Sequence, residues 1–471
     1  MCAQAVTLTS FGAARTVSGS LHLLDLDAPV AVDCGQFQGS PELEALNHQP
    51  LGFEPRDLSA VFLTHAHLDH VGRLPLLTRR GYRGPVYCTP ATAALCEIVL
   101  LDAARIEVER YTQQLRAARR SGLPEDAVLP PLFEPAHVQS TLAQLRPELT
   151  FGEPLRHPGG GTVTPLRAGH ILGSASLLFR TRAGRLLMSG DLGHWALAGA
   201  PLRGLQRPPE SALADAAVLE TTYAHRRHQP WASSVHDLAE ILRGAVQRGG
   251  KILMPSFATE RTQLLLWTLK TLMESGDVPH LPVFLDSPMA ARATQEYFRF
   301  AGELRPDLAE AVASGLDPFS PSGLHTVKDA AESGKLARFP GPAILVAGNG
   351  MLSGGRMVRH LQAHLGDPAA TIVLTGYQAP ATPGGQLQAG AATITLGTER
   401  LEVRAQVRSV AGFSAHGDQA TLLNYLAAAG WPSTWLVHGE PGAMTEFAGV
   451  LAGRGVSVAA AAAGETVRVL G

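Results

Sequence analysis

The chain has 471 residues, 45% of them hydrophobic and 17% charged, which is enough for two or three domains with substantial cores. A net charge of -2 excludes a globally basic nucleic-acid binder but leaves room for a local basic groove. No apolar run is long enough for a membrane span. The start Met1-Cys2-Ala3-Gln4 has no charged region leading into a signal-type core, so a cytoplasmic protein without membrane contact is expected. Cys2, Cys34, Cys88 and Cys96 are scattered, which indicates neither a disulfide framework nor a thiolate metal site.

Along the chain, short apolar runs predict strands at Val30 to Asp33, Ala60 to Leu63, Leu186 to Ser189 and Ala216 to Leu219. Each ends in, or leads directly to, Asp, His or Glu. Thr89 to Tyr111 reads as a helix with Pro90 near its start, and Arg116 to Pro135 as a loop-rich insertion. Pro201 to Pro209 reads as a linker at the edge of a first domain. Ser233 or Ser234 is then expected to cap an amphipathic helix that Gly249-Gly250 closes. Strands at Ile252 to Met254, Val283 to Leu285, Ala343 to Val346 and Thr371 to Leu374 alternate with helices such as Glu260 to Met273. That alternation argues for a largely parallel sheet covered by helices. After about residue 390, short strands return at Ala392 to Leu396, Leu401 to Val407 and Trp435 to Val437, which suggests an inserted domain with the first resuming behind it.

The densest chemistry lies in Thr64-His-Ala-His-Leu-Asp-His70, three imidazoles and a carboxylate directly after an apolar run. Neutral imidazole and carboxylate suit Zn²⁺ or Mn²⁺, and a loop at the end of a buried strand aims several ligands at one point. The spacing divides them: His65 and His67 can face one ion, Asp69 and His70 a second. Left without metal, such a cluster would cost stability, which argues against a mere His-rich turn. Two further His or Asp residues sit beside glycine near strand ends, His170 in Ala-Gly-His-Ile-Leu-Gly and Asp191 in Ser-Gly-Asp.

Asp33 in Val-Asp-Cys-Gly, the His-x-His-x-Asp-His cluster, His170 and Asp191 resemble the successive motifs of the metallo-β-lactamase superfamily. The resemblance extends to its β-CASP nucleases through Glu220-Thr-Thr-Tyr, Pro255 to Gln263, Asp286-Ser-Pro-Met-Ala, Gly348 to Arg356, Phe413-Ser-Ala-His416 and Leu436-Val-His-Gly-Glu440. It covers residues 7 to 470. The implied fold is an α/β metallo-β-lactamase αββα sandwich carrying an inserted β-CASP domain, a parallel sheet with flanking helices. The implied domains are 1–208, 209–391 and, for the return segment, 392–471. Related proteins include RNase J and the cleavage-and-polyadenylation endonuclease; this chain resembles the compact bacterial form, with RNA engaged by the core or by a homodimer.

The resemblance implies a metal-dependent ribonuclease acting on single-stranded RNA, in endonucleolytic, 5′-to-3′ exonucleolytic or both modes. His65, His67 and His170 would hold one divalent ion, Asp69, His70 and His438 a second, with Asp191 between them; Zn is expected first and Mn second. Such pairs, roughly 3.5–4 Å apart, clamp an in-line displacement at phosphorus. Asp33 is read as a carboxylate that orients a ligand imidazole. Asp69 and Asp191 count among the catalytic groups through the metals, and His416 is the general acid oriented by Glu220. His438 marks the RNA-directed branch. Substrate contacts are expected from the inserted domain, with Arg226, Arg227, Arg261, Asn349, Gly350, Arg356 and His360 as phosphate partners. Any of these cations reads equally as a solvated charge or an internal ion pair. Ala381 to Gln386 departs from the family pattern, with Gly385-Gln386 replacing a pair of arginines; Thr221 and Ala224 replace Ser and Gly, and Asn349 replaces a common Ser. The alternatives are another hydrolase of this fold, acting on DNA or a small ester, and an RNA-binding subunit of weak catalysis.

Overall fold

A computed structural model of the chain describes residues 5–195, 200–209, 213–352, 354–376, 378 and 382–471. Met1, Cys2, Ala3, Gln4, Ser353 and Ala381, all singled out above, lie outside the described residues. The chain divides into two compact units.

The first unit contains two seven-stranded sheets. In the first sheet the strands Val6–Ser10, His22–Asp25 and Pro29–Val32 form an antiparallel meander that continues in parallel through Ala60–Phe62 and Val86–Tyr87. The second sheet sets Thr162–Arg167, Ala175–Arg180 and Arg185–Met188 antiparallel, then adds Ala216–Glu220 and Ser433–Val437 in parallel. Period-2 alternation sends Val30, Val32 and Phe62 from one sheet and Leu177, Phe179, Leu186 and Val218 from the other into a common core. On the second sheet's opposite face, Leu178, Leu187, Ala217 and Leu219 pack against the helices Gln419–Ala428 and Pro441–Ala452 through Leu422, Leu426, Met444 and Phe447. Both faces of that sheet are buried, so its strands read as unbroken apolar runs.

The helix expected at Thr89 to Tyr111 begins as read, with Thr89 capping and Pro90 in the first turn, but it runs on to Arg120. Its last ten residues are mostly polar and solvent-facing, with only Tyr111, Leu115 and Ala118 as apolar residues on the inner side, so apolar periodicity is weak there and the Arg-rich stretch resembles a loop.

The second unit holds a six-stranded parallel sheet. Its spatial order is Leu324–Thr326, Val283–Asp286, Ile344–Ala347, Ile252–Pro255, Thr371–Leu374, Gln406–Ser409. The helix expected to start at Ser233 or Ser234 begins at Trp231 after Pro230, and Ser234 is buried inside it; Gly249, at φ 78, closes it as expected. The segments 392–396 and 401–407 do not return to the first unit. Thr393–Leu396 pairs with Glu399–Glu402 as a hairpin, and Ile394, Leu396 and Ala405 join the second unit's core. The return therefore begins at His416 rather than at 392. The insertion opens at His228 rather than 209, because Ala216–Glu220 is a central strand of the sandwich.

Candidate metal centre

Every expected ligand lies just past a strand end of the first unit. His65 and His67 follow Ala60–Phe62, and Asp69 and His70 sit in the short helix Leu68–Val71. His170 occupies the turn between Thr162–Arg167 and Ala175–Arg180; Asp191 follows Arg185–Met188, and His438 follows Ser433–Val437. The two sheets are tied here by Ala175 N–H donating to Thr64 O at 2.8 Å. Tight backbone packing fixes the cluster: a Cβ on Gly35 would lie 1.5 Å from the Asp69 carbonyl oxygen, so only glycine fits after Asp33-Cys34.

The side chains form two groups, His65, His67, His170 and Asp191 in one, and Asp69, His70 and His438 in the other, with potential ligand atoms within 4.8 Å of one another in each. His67 Nδ1 lies 3.2 Å from His65 Nε2 and 3.0 Å from His170 Nε2. Asp191 divides its two oxygens. Oδ2 is 3.6 Å from both His65 Nε2 and His170 Nε2, while Oδ1 is 3.3 Å from His70 Nε2 and 3.5 Å from His438 Nδ1. Asp69 Oδ2 sits 3.3 Å from His438 Nε2 and 3.9 Å from His70 Nε2.

Behind the ligands stands Asp33, in a left-handed conformation at φ 60 and fully buried. Its Oδ2 accepts from His70 Nδ1 at 2.7 Å and from Thr64 Oγ1 at 2.8 Å, and its Oδ1 accepts from Thr64 N at 2.8 Å. The Thr64 proton is thereby used, so its oxygen accepts from His65 Nδ1–H at 3.1 Å. His65 then presents a bare Nε2 to the cluster, and His70 would do so once a metal takes the place of the proton that its Nε2 holds against Asp191. Thr64 was not singled out from sequence; its signal was a hydroxyl directly before the first histidine. Ser20 and His22 were also missed. Ser20 Oγ reaches Asp33 Oδ2 at 3.4 Å, and His22 hydrogen-bonds Ser10 at 2.9 Å, but a lone histidine in an alternating strand announces nothing.

Burial, followed by the proximity of His70, pushes the His65 pKa well below the usual imidazole value, and burial brings that of His67 to about 4. These rings are neutral at neutral pH and offer lone pairs. Burial opposes charge on His70 too, but Asp191 and Asp33 outweigh it and hold its pKa well above the ordinary range. Asp191 is likewise kept ionised against burial by His438 and His70.

Beside the cluster, His416 Nε2 is 4.0 Å from Asp191 Oδ2, and its Nδ1 is 3.2 Å from Glu220 Oε1. Glu220 is fully buried at the end of its strand and also accepts from Leu192 N at 3.1 Å and Thr222 N at 2.9 Å. Burial would lower the His416 pKa, but Glu220 and Asp191 raise it above the usual value.

The expected phosphate contacts fare differently. Arg226 and Arg227 are exposed. Arg356 and His360 are committed inside the second unit, bonding the Asp286 carboxylate at 2.5 and 2.7 Å. Arg261 is buried and donates to Thr375 O at 2.9 Å. The loop from Gly348 spends its amides on itself: Asn349 N on Gly354 O, Leu352 N on Asn349 O and Met357 N on Gly348 O. Asn349 Oδ1 accepts from Met351 N, and Gly350 is buried against Phe257. Arg356 Nη1, His360 Nε2, Arg261 Nη1 and the Asn349 amide are thus engaged within the fold.

Three family descriptions match the chain: the metallo-beta-lactamase superfamily over residues 30–219, the Beta-Casp domain over 262–387, and the Zn-dependent metallo-hydrolase RNA specificity domain over 400–461. Ribonuclease TTHA0252 of Thermus thermophilus is 41% identical over 463 residues, spanning 98% of this chain and 100% of that protein. Transcription termination factor FttA of Methanosarcina mazei is 31% identical across 90% of this chain and 65% of its own length. An RNase J-like protein of Methanocaldococcus jannaschii is 27% identical over 87% of each chain. Among solved structures, a protein of unknown function from Enterococcus faecalis V583 matches 98% of this chain and 100% of its own with a TM-score of 0.54 at 15% identity, a likeness of fold.

Proposed function

The chain belongs to the β-CASP ribonucleases of the metallo-β-lactamase superfamily, and from that premise we propose that it is a metal-dependent ribonuclease hydrolysing phosphodiester bonds of single-stranded RNA. The observation that carries this reading is the convergence of seven ligand-type side chains, with one carboxylate dividing its oxygens between two groups.

The donor set fits divalent ions. The nitrogens of His65, His67 and His170 crowd together at 3.0–3.2 Å, and the buried Asp191 Oδ1 meets His70 Nε2 and His438 Nδ1 at 3.3–3.5 Å, a set of lone pairs that a cation would satisfy. His65, His67 and His170 would hold one ion and Asp69, His70 and His438 another, with Asp191 serving both. Imidazole and carboxylate suit Zn first and Mn second. When bound, such ions supply a water acidic enough to act as nucleophile at neutral pH and neutralise charge at phosphorus.

The chain's own residues supply the rest. Asp33 and Thr64 fix the tautomers of His70 and His65. Glu220 accepts the Nδ1 proton of His416, which leaves Nε2–H to protonate the departing oxygen, and the raised pKa favours the protonated form in which His416 can do so. Arg226 and Arg227, shortly after Glu220, are proposed as phosphate contacts, Arg226 through donors other than the Nε that it gives to His225. No helix of the described residues is long and apolar enough to cross a membrane, and Cys34, Cys88 and Cys96 are free thiols; both support a cytoplasmic reading. A homodimer would extend the RNA-binding surface.

The test is incubation with labelled single-stranded RNA, matched single-stranded DNA and a thioester, each with Zn²⁺, Mn²⁺ or chelator. RNA should be cleaved, chelator should stop it, DNA should be cut poorly, and RNA binding should weaken with salt. Equal or faster DNA cleavage would move the protein to the DNA-directed branch.

A further inference from the structure

His438 stands in an awkward backbone conformation for a residue with a side chain, at φ 49. Three bonds hold it there: its N–H donates to Ala13 O at 2.6 Å, and its carbonyl accepts from Thr221 N at 3.1 Å and from Thr222 Oγ1 at 3.3 Å. The next residue has no room to move, since a Cβ on Gly439 would lie 2.1 Å from Thr221 Oγ1. The end of the Ala216–Glu220 strand thus clamps the loop that carries His438.

The Thr222 hydroxyl does more than hold the backbone. Its oxygen lies 3.1 Å from His438 Nδ1. A hydroxyl has one proton and two lone pairs. With the proton given to His438 O, the oxygen accepts from Nδ1–H. The competing acceptor, Asp191 Oδ1, is 3.5 Å from Nδ1, too far for a comparable bond. In that tautomer Nε2 is bare toward the second ligand group; in the other, Nε2–H donates to Asp69 Oδ2 at 3.3 Å and no lone pair faces an ion. Thr222 N meanwhile donates to Glu220 Oε2, the carboxylate that orients His416.

We propose that Thr222 is a positioning residue whose hydroxyl sets the tautomer and direction of the metal ligand His438, and whose backbone braces the carboxylate behind His416. The proposal rests on the metal-centre reading above and extends it by one residue. It assigns to the second threonine of Glu-Thr-Thr-Tyr a role parallel to that of Thr64: each is a hydroxyl that consumes an Nδ1 proton so that Nε2 is free.

The experiment compares wild type, Thr222→Val, which removes the hydroxyl at nearly constant volume, and Thr222→Ser, which retains it. The readouts are ions bound per chain under chelator competition, melting of the metal-free protein, and kcat and KM on single-stranded RNA. Thr222→Val should lower metal-free melting by no more than the loss of one hydrogen bond and weaken the ion held by Asp69, His70 and His438 about 10- to 100-fold. Its kcat should fall with little change in KM, and Thr222→Ser should restore both. Wild-type metal affinity in Thr222→Val, or equal impairment of Thr222→Ser, overturns the proposal. So does a loss of metal-free stability that accounts for the lost activity. Imidazole ¹⁵N shifts of the zinc-loaded wild type test it without any variant: Nδ1 of His438 should carry a proton, and a metal-bound Nδ1 would refute the assignment. If wild type binds metal but does not cleave RNA, the substrate reading falls, while the metal titration still decides the role of Thr222.

Discussion

Both units bury an aspartate against histidine, yet the two clusters are built to opposite rules. In the second unit the buried Asp286 is saturated: Ser333 Oγ donates at 2.5 Å, Arg356 at 2.5 Å and His360 at 2.7 Å. Burial disfavours its charge, but these donors win and keep its pKa below the usual carboxylate value. In the first unit Asp191 faces imidazole nitrogens of His65, His70, His170 and His438 at 3.3–3.6 Å, and the nitrogens of His65, His67 and His170 crowd together at 3.0–3.2 Å. The same residue types make a closed structural knot in one place and an open ligand set in the other. What the buried carboxylate meets separates the two: three short donors in the second unit, and a ring of ligand-type imidazoles in the first.

The sharpest way to break this contrast is Asp191→Ala. It should abolish RNA cleavage and lower metal content by elemental analysis, while the far-ultraviolet spectrum stays that of the wild type; full activity at depleted metal would end the two-ion account. Next in size, His416→Ala should reduce turnover by roughly 10² to 10⁴ with both ions retained. Glu220→Gln should act in the same direction more mildly, and metal loss in His416→Ala would make His416 a ligand instead.

The knot should respond in a different currency. Asp286→Ala strands Arg356 and His360 and should cost about 3–5 kcal/mol of stability, seen as a lowered melting temperature, while metal content stays at the wild-type level. Metal loss there would erase the distinction between the clusters.

Glu260 offers the finest test within the second unit. It is buried, its carboxylate accepts from Tyr297 Oη–H at 2.6 Å, and burial pushes its pKa up to about 7. The folded state therefore holds this proton to higher pH than the unfolded state does. The penalty for burying the carboxylate grows as pH rises from about 4.5 through about 7 and is constant above that. Glu260→Gln should remove this slope and stabilise the protein at pH 8 by on the order of 3 kcal/mol. Identical melting curves across that range would assign the carboxyl an ordinary pKa.

Much of the first cluster was legible in the sequence because metal ligation demands particular residue types next to strand ends, and strand ends are visible where apolar runs stop. His65, His67, Asp69, His70, His170, Asp191 and His438 all fall in two adjoining groups. The second cluster was not legible in the same way. Arg356 and His360 look like phosphate contacts in a sequence because pairing is invisible there; only the fold shows Asp286 opposite them. Element boundaries failed for related reasons. Gln406–Ser409 carries a single apolar residue, Val407, which says nothing of the strand's partner, and the partner is Thr371–Leu374 of the inserted sheet. In the exposed turns of the Pro90–Arg120 helix the apolar stripe thins to Tyr111, Leu115 and Ala118 among arginines and glutamines.

The central claim is that one carboxylate serves two ion sites in the first unit while the second unit's histidine-aspartate pair serves none. Anomalous diffraction at the zinc edge from zinc-loaded crystals tests it directly. Two peaks are predicted, one among His65, His67 and His170 and one among Asp69, His70 and His438, with Asp191 touching both. A single peak, or one at Asp286 and His360, would contradict the account.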